Sequence, residues 1–482
     1  MSNTAQSSAI SRINALLDDN SFVEIGGLVQ ARSTNFNMQT KDTLSDGVIT
    51  GYGVINGSLV YVYSQDATVL NGSIGEMHAK KIVKLYDLAL KMGAPVIGLV
   101  DCAGLRLQEA TDALNGFGEI YLKQTMASGV VPQITAVFGN CGGGLAMFST
   151  LTDFTFMEEK KGKLFVNSPN ALDGNYASKC DTASAKFQSE EAGIVDYVGE
   201  EADVLASIRE LVTYLPANNE DMSFDDCEDD LNRVCEGIEN GVSDAAYVIS
   251  SIADNNAFFE VKKDYAKSMV TGFIKLNGAT VGVVANRTAV FDENGEEAEK
   301  YDAVLTAKGA YKAADFVNFC DAFDIPVLSL TNTKGFEATK CSEKSIAQAV
   351  GKLTYAFANA TVPKVNVIVG EAMGSAYVAM NSKAIGADMV YAWNNAKIGM
   401  MDSESAAKII YADEINASTD AKALIAEKAA EYDKVQSSET AASRGYVDTV
   451  IAPCDTRKYV VAAFEMLFTK NEDRPSKKHG TV

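Results

Sequence analysis

The chain repeats itself. The segment VITGYGVINGSLVYVYSQDATV (48–69) returns in outline as VTGFIKLNGATVGVVANRTAV (270–290), with Gly51 matching Gly272 and Asn56-Gly57 matching Asn277-Gly278 at one offset of 221. Further on the offset widens to 231 and holds: Pro95 matches Pro326, Val131-Pro132 matches Val362-Pro363, and Gly143 matches Gly374. A constant offset across more than forty residues predicts two homologous halves, 1–245 and 246–482. Whatever one half folds into, the other folds into as well.

Within each half the order reads hairpin, helix, strand, helix, strand, helix. Asn-Gly supplies the positive φ angles of a two-residue hairpin turn, so both repeated segments read as strand, turn, strand. HAKKIVKLYDLALKM (78–92) sets Ile82, Leu85, Leu88 or Ala89 and Met92 on one helical face, and VIGLV (96–100) and ITAVF (134–138) read as buried strands with a helix around 118–128 between them. Such alternation predicts an α/β fold with a mostly parallel sheet covered by helices. The acidic stretch NNEDMSFDDCEDD (218–230) between the halves reads as a solvated connector that enters a helix at its end.

Composition removes several classes of function. Lys plus Arg total 42 against 64 for Asp plus Glu, a formal charge of −22, which disfavours nucleic acid and anionic membrane surfaces as partners. No apolar run is long enough to span a bilayer, and the N-terminus MSNTAQSSAI lacks the basic and apolar parts of a signal peptide. The eight cysteines form no C-x-x-C, so reduced thiols in the cytoplasm are expected. With His78 and His479 the only imidazoles, no metal site is expected.

Ligands of open α/β sheets gather beyond the carboxyl ends of the strands. There the first half carries DCAGLRLQEA (101–110) and GNCGGGLAMFS (139–149), and the second carries TNTKGFEA (331–338) and GEAMGSAYVAM (370–380). Glycines entering a helix permit close backbone approach, and the unpaired N–H groups of a helix start favour developing negative charge. The same glycines serve elsewhere merely to pack a helix on a strand, so only their duplication points to two oxyanion pockets.

Almost end to end, the chain resembles the carboxyltransferase subunits of biotin-dependent acyl-CoA carboxylases, of the propionyl-CoA carboxylase β type, with methylmalonyl-CoA decarboxylase α and transcarboxylase subunits alongside. The resemblance rests on DGVITGYG (46–53), GSIGEMHAKKI (72–82), LRLQE (105–109), LTDFTFM (151–157), KLTYAFANATVPKV (352–365), AASRGYVDTVI (441–451) and the terminal KKHG (477–480). It implies a duplicated crotonase-like (ClpP/crotonase) ββα superhelix. It further implies a homo-oligomer, commonly a hexamer, with active sites between the N-half of one subunit and the C-half of another. The activity implied is transfer of carboxyl between carboxybiotin, held on a separate biotin carboxyl carrier protein served by a biotin carboxylase subunit, and the α-carbon of an acyl-CoA.

By motif match, Gly143 and Gly144 hold the thioester oxygen with Ala103 or Gly104 alongside, and Ser375 and Ala376, with Gly374 supporting the turn, hold the biotin ureido oxygen. The resemblance implies no side-chain base, since the biotin nitrogen takes the α-proton. The chain lacks the family's biotin-attachment Ala-Met-Lys-Met and the zinc ribbon of bacterial acetyl-CoA carboxyltransferase β subunits, which implies a separate carrier and no metal. Lys477 and Lys478 read as solvated, with a place beside a phosphate as the alternative.

The chain also departs from the pattern. Asp101-Cys102-Ala103-Gly104-Leu105-Arg106 replaces Asp-Ser-Gly-Gly-Ala-Arg, Gly374-Ser375 replaces a glycine pair, Gln348 and Ala349 replace an arginine-histidine pair, and Val378 occupies a site held by Asp in propionyl-selective members. These changes leave the acyl group open, and add a weakened scaffold subunit in a mixed ring as an alternative. A biotin-dependent decarboxylase or transcarboxylase shares the half-reaction. A crotonase-type hydratase or isomerase would need free carboxylates, for which Asp101 and Glu109 are the candidates. GYGVING (51–57) has a dinucleotide-like glycine spacing but lies in a hairpin. Cys102 reads as a packed thiol, because His78 reads as opening a surface-like helix and leaves no nucleophile pair.

Overall fold

The computed structural model describes residues 7–175, 179–221, 224–292 and 294–477, so Lys478 and His479 lie outside the described residues. The chain divides into two compact units, Met1–Met222 and Ser223–Val482. This division precedes residue 245 because the connector is tied to the second unit. Asp225 pairs with Lys275 and its N–H donates to Gly278 O, while Asp229 pairs with Arg233 at 3.0 Å and with buried Arg457 at 3.4 Å. The connector's described residues are exposed or half-exposed, as expected of a solvated segment, but no helix forms at its end, and the expectation that it enters one is corrected.

In the first unit β1 (Val23–Ile25), β2 (Val48–Ile55), β3 (Ser58–Gln65), β4 (Val96–Cys102), β5 (Gln133–Gly142), β6 (Phe154–Glu158) and β8 (Tyr197–Gly199) lie side by side in that order, and β7 (Lys163–Phe165) pairs with the far end of β5. The first three strands are antiparallel, and from β3 onward every pair is parallel. The second unit repeats this with β9 (Phe259–Val261), β10 (Met269–Leu276), β11 (Ala279–Asn286), β14 (Val327–Thr333), β15 (Lys364–Met373), β16 (Met389–Trp393) and β18 (Thr449–Ile451), and β17 (Lys397–Gly399) beside β15.

Register repeats along with order. Val48 opposes Gln65 as Met269 opposes Asn286, and Cys102 opposes Cys141 as Thr333 opposes Ala372. The isolated bridge Ile74–Leu105 recurs as Leu305–Phe336. The wider offset therefore enters between Asn286 and Leu305, where the second unit carries an extra hairpin, β12 (Ala289–Phe291) with β13 (Glu297–Lys300). This is the α/β, duplicated ββα arrangement that the resemblance implied.

The helix expected near 118–128 runs from Ala110 to Ala127. Its first turns contain Asp112, Asn115 and Gly116, poor helix formers, but Ala113, Gly116, Phe117, Ile120, Gln124 and Ala127 form one buried stripe, and that burial overrides local propensity. Gly116 is required by close approach: a Cβ there would stand 2.6 Å from that of Ala79 on the neighbouring helix Glu76–Met92. Among the described residues no helix is long and apolar enough to cross a membrane.

Candidate active site

Each unit places a glycine turn where a central strand ends. In the first, β5 stops at Gly142, Gly143 turns the chain at φ +64°, and a helical turn from Gly143 to Ala146 runs into the helix Met147–Leu151. In the second, β15 stops at Met373, Gly374 turns at φ +61°, and the helix Gly374–Ala379 follows. The N–H groups of Gly143 and Gly144, and of Gly374, Ser375 and Ala376, lead their helical turns and have no carbonyl within the turn to bond. A strand end followed by left-handed glycine and a helix start therefore presents adjacent unpaired amides in each unit, at Gly143 and Gly144 in the first and from Gly374 to Ala376 in the second.

The surroundings of each glycine differ. Nothing lies within 4 Å of a Cβ built on Gly143, so its need for glycine is conformational alone. A Cβ on Gly144 would stand 2.9 Å from Tyr121 Oη and 3.1 Å from the Phe117 ring, so here the need is close packing. Ser375 is absent from the positive-φ residues, because Gly374 carries the left-handed turn by itself. The serine found in place of the family's second glycine is unstrained and keeps its N–H, and its side chain is exposed. Ala376 is fully buried, and Val378 is exposed one turn into the helix.

Two expected donors are already engaged. The Ala103 N–H donates to Asn71 O at 3.1 Å, and the Gly104 N–H to Cys102 Sγ at 3.3 Å. The expectation that either amide assists Gly143 and Gly144 is corrected, and what remains for this loop is shape: Ala103 is exposed, and Gly104 makes the turn at φ +97°. Cys102 is the packed thiol expected, since burial pushes it up to about 12.

The sequence pattern did not reveal the buried charge cluster beneath this loop. Arg106, 1 % exposed at its side chain, bonds Asp46 Oδ1 at 2.6 Å and Glu109 Oε1 at 2.8 Å through one nitrogen, and donates to Ser73 O at 2.7 Å through the other. Asp46 Oδ2 accepts the His78 N–H at 2.8 Å, and Glu109 Oε2 accepts the Glu76 N–H at 2.6 Å. Three stretches quoted above, around Asp46, Gly72–Ile82 and Leu105–Glu109, meet at this one guanidinium. His78 is fully buried, its Nδ1 2.9 Å from Asp46 O, which corrects its reading as the start of a surface-like helix. The available signal was three charged motifs with no chemistry of their own.

Desolvation pushes the Asp46 carboxyl up to about 6, against the pull of Arg106. A raised folded-state value means that the native chain holds this proton more tightly than the unfolded chain. Stability from this group is therefore full near pH 4 and is lost as pH rises through about 6. In thermal unfolding from pH 5 to pH 7, the Asp46→Asn midpoint should gain on the wild-type midpoint, and parallel curves would refute the effect.

Neither candidate carboxylate of a hydratase is free. Glu109 is consumed by Arg106, and Asp101 pairs with buried Arg12 at 3.5 Å while its carboxylate packs on Gly139. Lys477, expected to be solvated, lies with its ammonium 4.6 Å over the Tyr355 ring. All eight cysteines are unpaired, and among the described residues no group of three His, Cys, Asp or Glu side chains could hold a metal ion.

The carboxyl transferase domain family matches residues 3–482. The chain is similar to the putative propionyl-CoA carboxylase beta chain of Bacillus subtilis, at 40% identity over 481 residues covering 98% of this chain and 92% of the other. It is similar to the methylmalonyl-CoA decarboxylase subunit alpha of Veillonella parvula at 38% identity, again covering 98% and 92%. Among solved structures it matches a hexameric transcarboxylase 12S with hydrolysed methylmalonyl-coenzyme A bound, with a TM-score of 0.91, 37% identity and coverage of 99% and 92%.

Proposed function

The chain belongs to the carboxyl transferase domain family, and we propose that it moves a carboxyl group between biotin on a separate carrier protein and the α-carbon of a short-chain acyl-CoA. The observation that carries this reading is the duplicated glycine turn, Gly143-Gly144 and Gly374-Ser375, at equivalent strand ends with φ of +64° and +61°. Carboxyl transfer develops negative charge twice, on the thioester oxygen of an enolate and on the ureido oxygen of biotin. A fold that offers two amide turns meets both needs without a side-chain base.

The N–H groups of Gly143 and Gly144 hold the thioester oxygen, and those of Ser375 and Ala376 hold the ureido oxygen. Each preorganised donor lowers the barrier by on the order of 3 kcal/mol. Gly374 sets the second turn, and Ala103, Gly104 and Val378 shape the surface that substrate meets. Biotin, when bound, supplies the nitrogen that carries the carboxyl group and accepts the α-proton. The residues present fit it: the second turn is led by a glycine with only the Met400 carbonyl, at 3.1 Å, near the position of an added Cβ, and its neighbour Ser375 is exposed.

The protein works in the cytoplasm as a hexamer, as the transcarboxylase 12S is named to be, with a biotin carrier and a biotin carboxylase as partners; the unpaired thiols and the 37% identity to that structure support this. The hydratase reading is disfavoured by the engagement of Asp101 and Glu109, and the inert-scaffold reading by the unstrained backbone at Ser375. The relatives include both a carboxylase chain and a decarboxylase subunit, so direction rests with the partner enzymes.

Purified protein incubated with free biotin and malonyl-, methylmalonyl- or glutaconyl-CoA, followed by mass spectrometry, tests the proposal. Biotin-dependent loss of carboxyl from one thioester is expected. Binding of the CoA esters without turnover of any would overturn it in favour of a subunit that needs a catalytic partner.

A further inference from the structure

The two amide turns are not held alike. Tyr121 Oη donates to Gly144 O at 2.6 Å, and Cys141 Sγ to Leu145 O at 3.5 Å, so two consecutive carbonyls of the first turn are fixed by side chains. Phe117, Tyr121 and Phe148 pack together around the same turn with ring centroids 5.8 to 5.9 Å apart, Tyr121 edge-on to Phe148 and Phe117 tilted against both.

Among the described residues, the second unit lacks each of these. Its helix Ile346–Asn359 aligns with Ala110–Ala127 by burial, with Ala113, Ile120, Gln124 and Ala127 matching Ile346, Leu353, Phe357 and Ala360. The Gln133 amide donating to Gln124 O at 3.0 Å is matched by Lys364 Nζ donating to Phe357 O at 2.7 Å. On this alignment Tyr121 and Phe117 become Thr354 and Val350, while strand register turns Cys141 into Ala372.

We propose that Tyr121 is a positioning residue for the enolate half of the reaction: its hydroxyl locks the Gly144–Leu145 peptide, so that the first turn keeps its amides aimed at a thioester oxyanion. The proposal rests on the function proposed above. The leading glycine meets nothing within 4 Å of its Cβ, so the turn is packed from one side only: Phe117 and Tyr121 close on Gly144, and the hydroxyl bond adds to the Met147 N–H that also donates to Gly144 O. Preorganised donors act by being already aimed when charge develops, so the restraint matters to the transition state more than to the bound thioester.

Tyr121→Phe removes the hydroxyl and keeps the ring, and Cys141→Ala removes the second bond. The measurement is binding of two CoA compounds by calorimetry: an acyl-CoA, and a CoA nitronate that mimics the enolate. Wild type should prefer the nitronate. Tyr121→Phe should bind the nitronate about 3- to 10-fold more weakly with its acyl-CoA affinity unchanged, and its kcat for biotin-dependent decarboxylation should fall by the same factor at unchanged KM. Cys141→Ala should show a smaller loss of the same kind. Equal weakening of both ligands, or a nitronate affinity equal to wild type, overturns the role given to Tyr121. A wild type that does not prefer the nitronate overturns the assignment of the first turn to the thioester oxygen.

Discussion

Gly143→Val is expected to lower biotin-dependent carboxyl transfer by roughly 10²- to 10³-fold while leaving a folded protein. Gly143 holds φ +64°, a region that a β-branched residue avoids, and nothing lies within 4 Å of its Cβ, so the substitution meets strain and no clash. The chain relieves that strain by rotating the peptide that carries the Gly144 N–H, which turns the donor away from the oxyanion. Gly143→Ala is the intermediate case, because alanine enters the left-handed region at a cost of about 1 kcal/mol. Steady-state kcat on the best thioester from the panel, set beside the circular dichroism of each variant, checks the order glycine, alanine, valine. Wild-type turnover by the valine variant would mean that the first turn does not stabilise charge.

Arg106→Met is expected to have the largest effect on stability of any single exchange near the first loop, on the order of 3–5 kcal/mol. The side chain is 1 % exposed and neutralises two carboxylates, Asp46 at 0 % and Glu109 at 3 %. Methionine fills similar volume and leaves both acids buried without a cation. It also removes the donors to Ser73 O, just before the helix Glu76–Met92, and to Asp46 O, in the turn Leu44–Gly47 before β2, that bind the loop to both. Lowering the pH restores part of the loss, because the buried Asp46 can then protonate. Thermal melts at pH 5 and pH 7 check both statements, and a variant melting within a few degrees of wild type at pH 7 would contradict the account of the cluster. Since the cluster holds residues 104–109 in place, the same variant should lose affinity for acyl-CoA even where it stays folded.

The duplication, the α/β class and the position of the glycine turns were legible in the residues, because the spacing of Asn-Gly hairpins, buried strands and glycine pairs is local and repeats with the fold. Gly143 and Gly374 could be singled out for the same reason: a left-handed turn at a strand end admits little but glycine, so the conformation is written in the residue type, whereas Gly144 is required by the side chains that close on it. Ser375 could not be judged that way, because whether a serine fits depends on which neighbour takes the positive φ, and the fold gives that task to Gly374.

What only the tertiary structure decided is the use of polar groups brought together from distant segments. Asp46, His78, Arg106 and Glu109 are unremarkable apart and form one buried cluster when the first loop folds over the helix start. The amide hydrogens of Ala103 and Gly104 are spent on Asn71 O and Cys102 Sγ, and Tyr121 reaches the Gly144 carbonyl from a neighbouring helix. A residue's type states which hydrogen bonds it can make, and its spacing states which face it occupies. Which partner it meets is set by the packing of elements far apart in the chain, because burial leaves each donor and acceptor no choice but the group that the fold puts beside it.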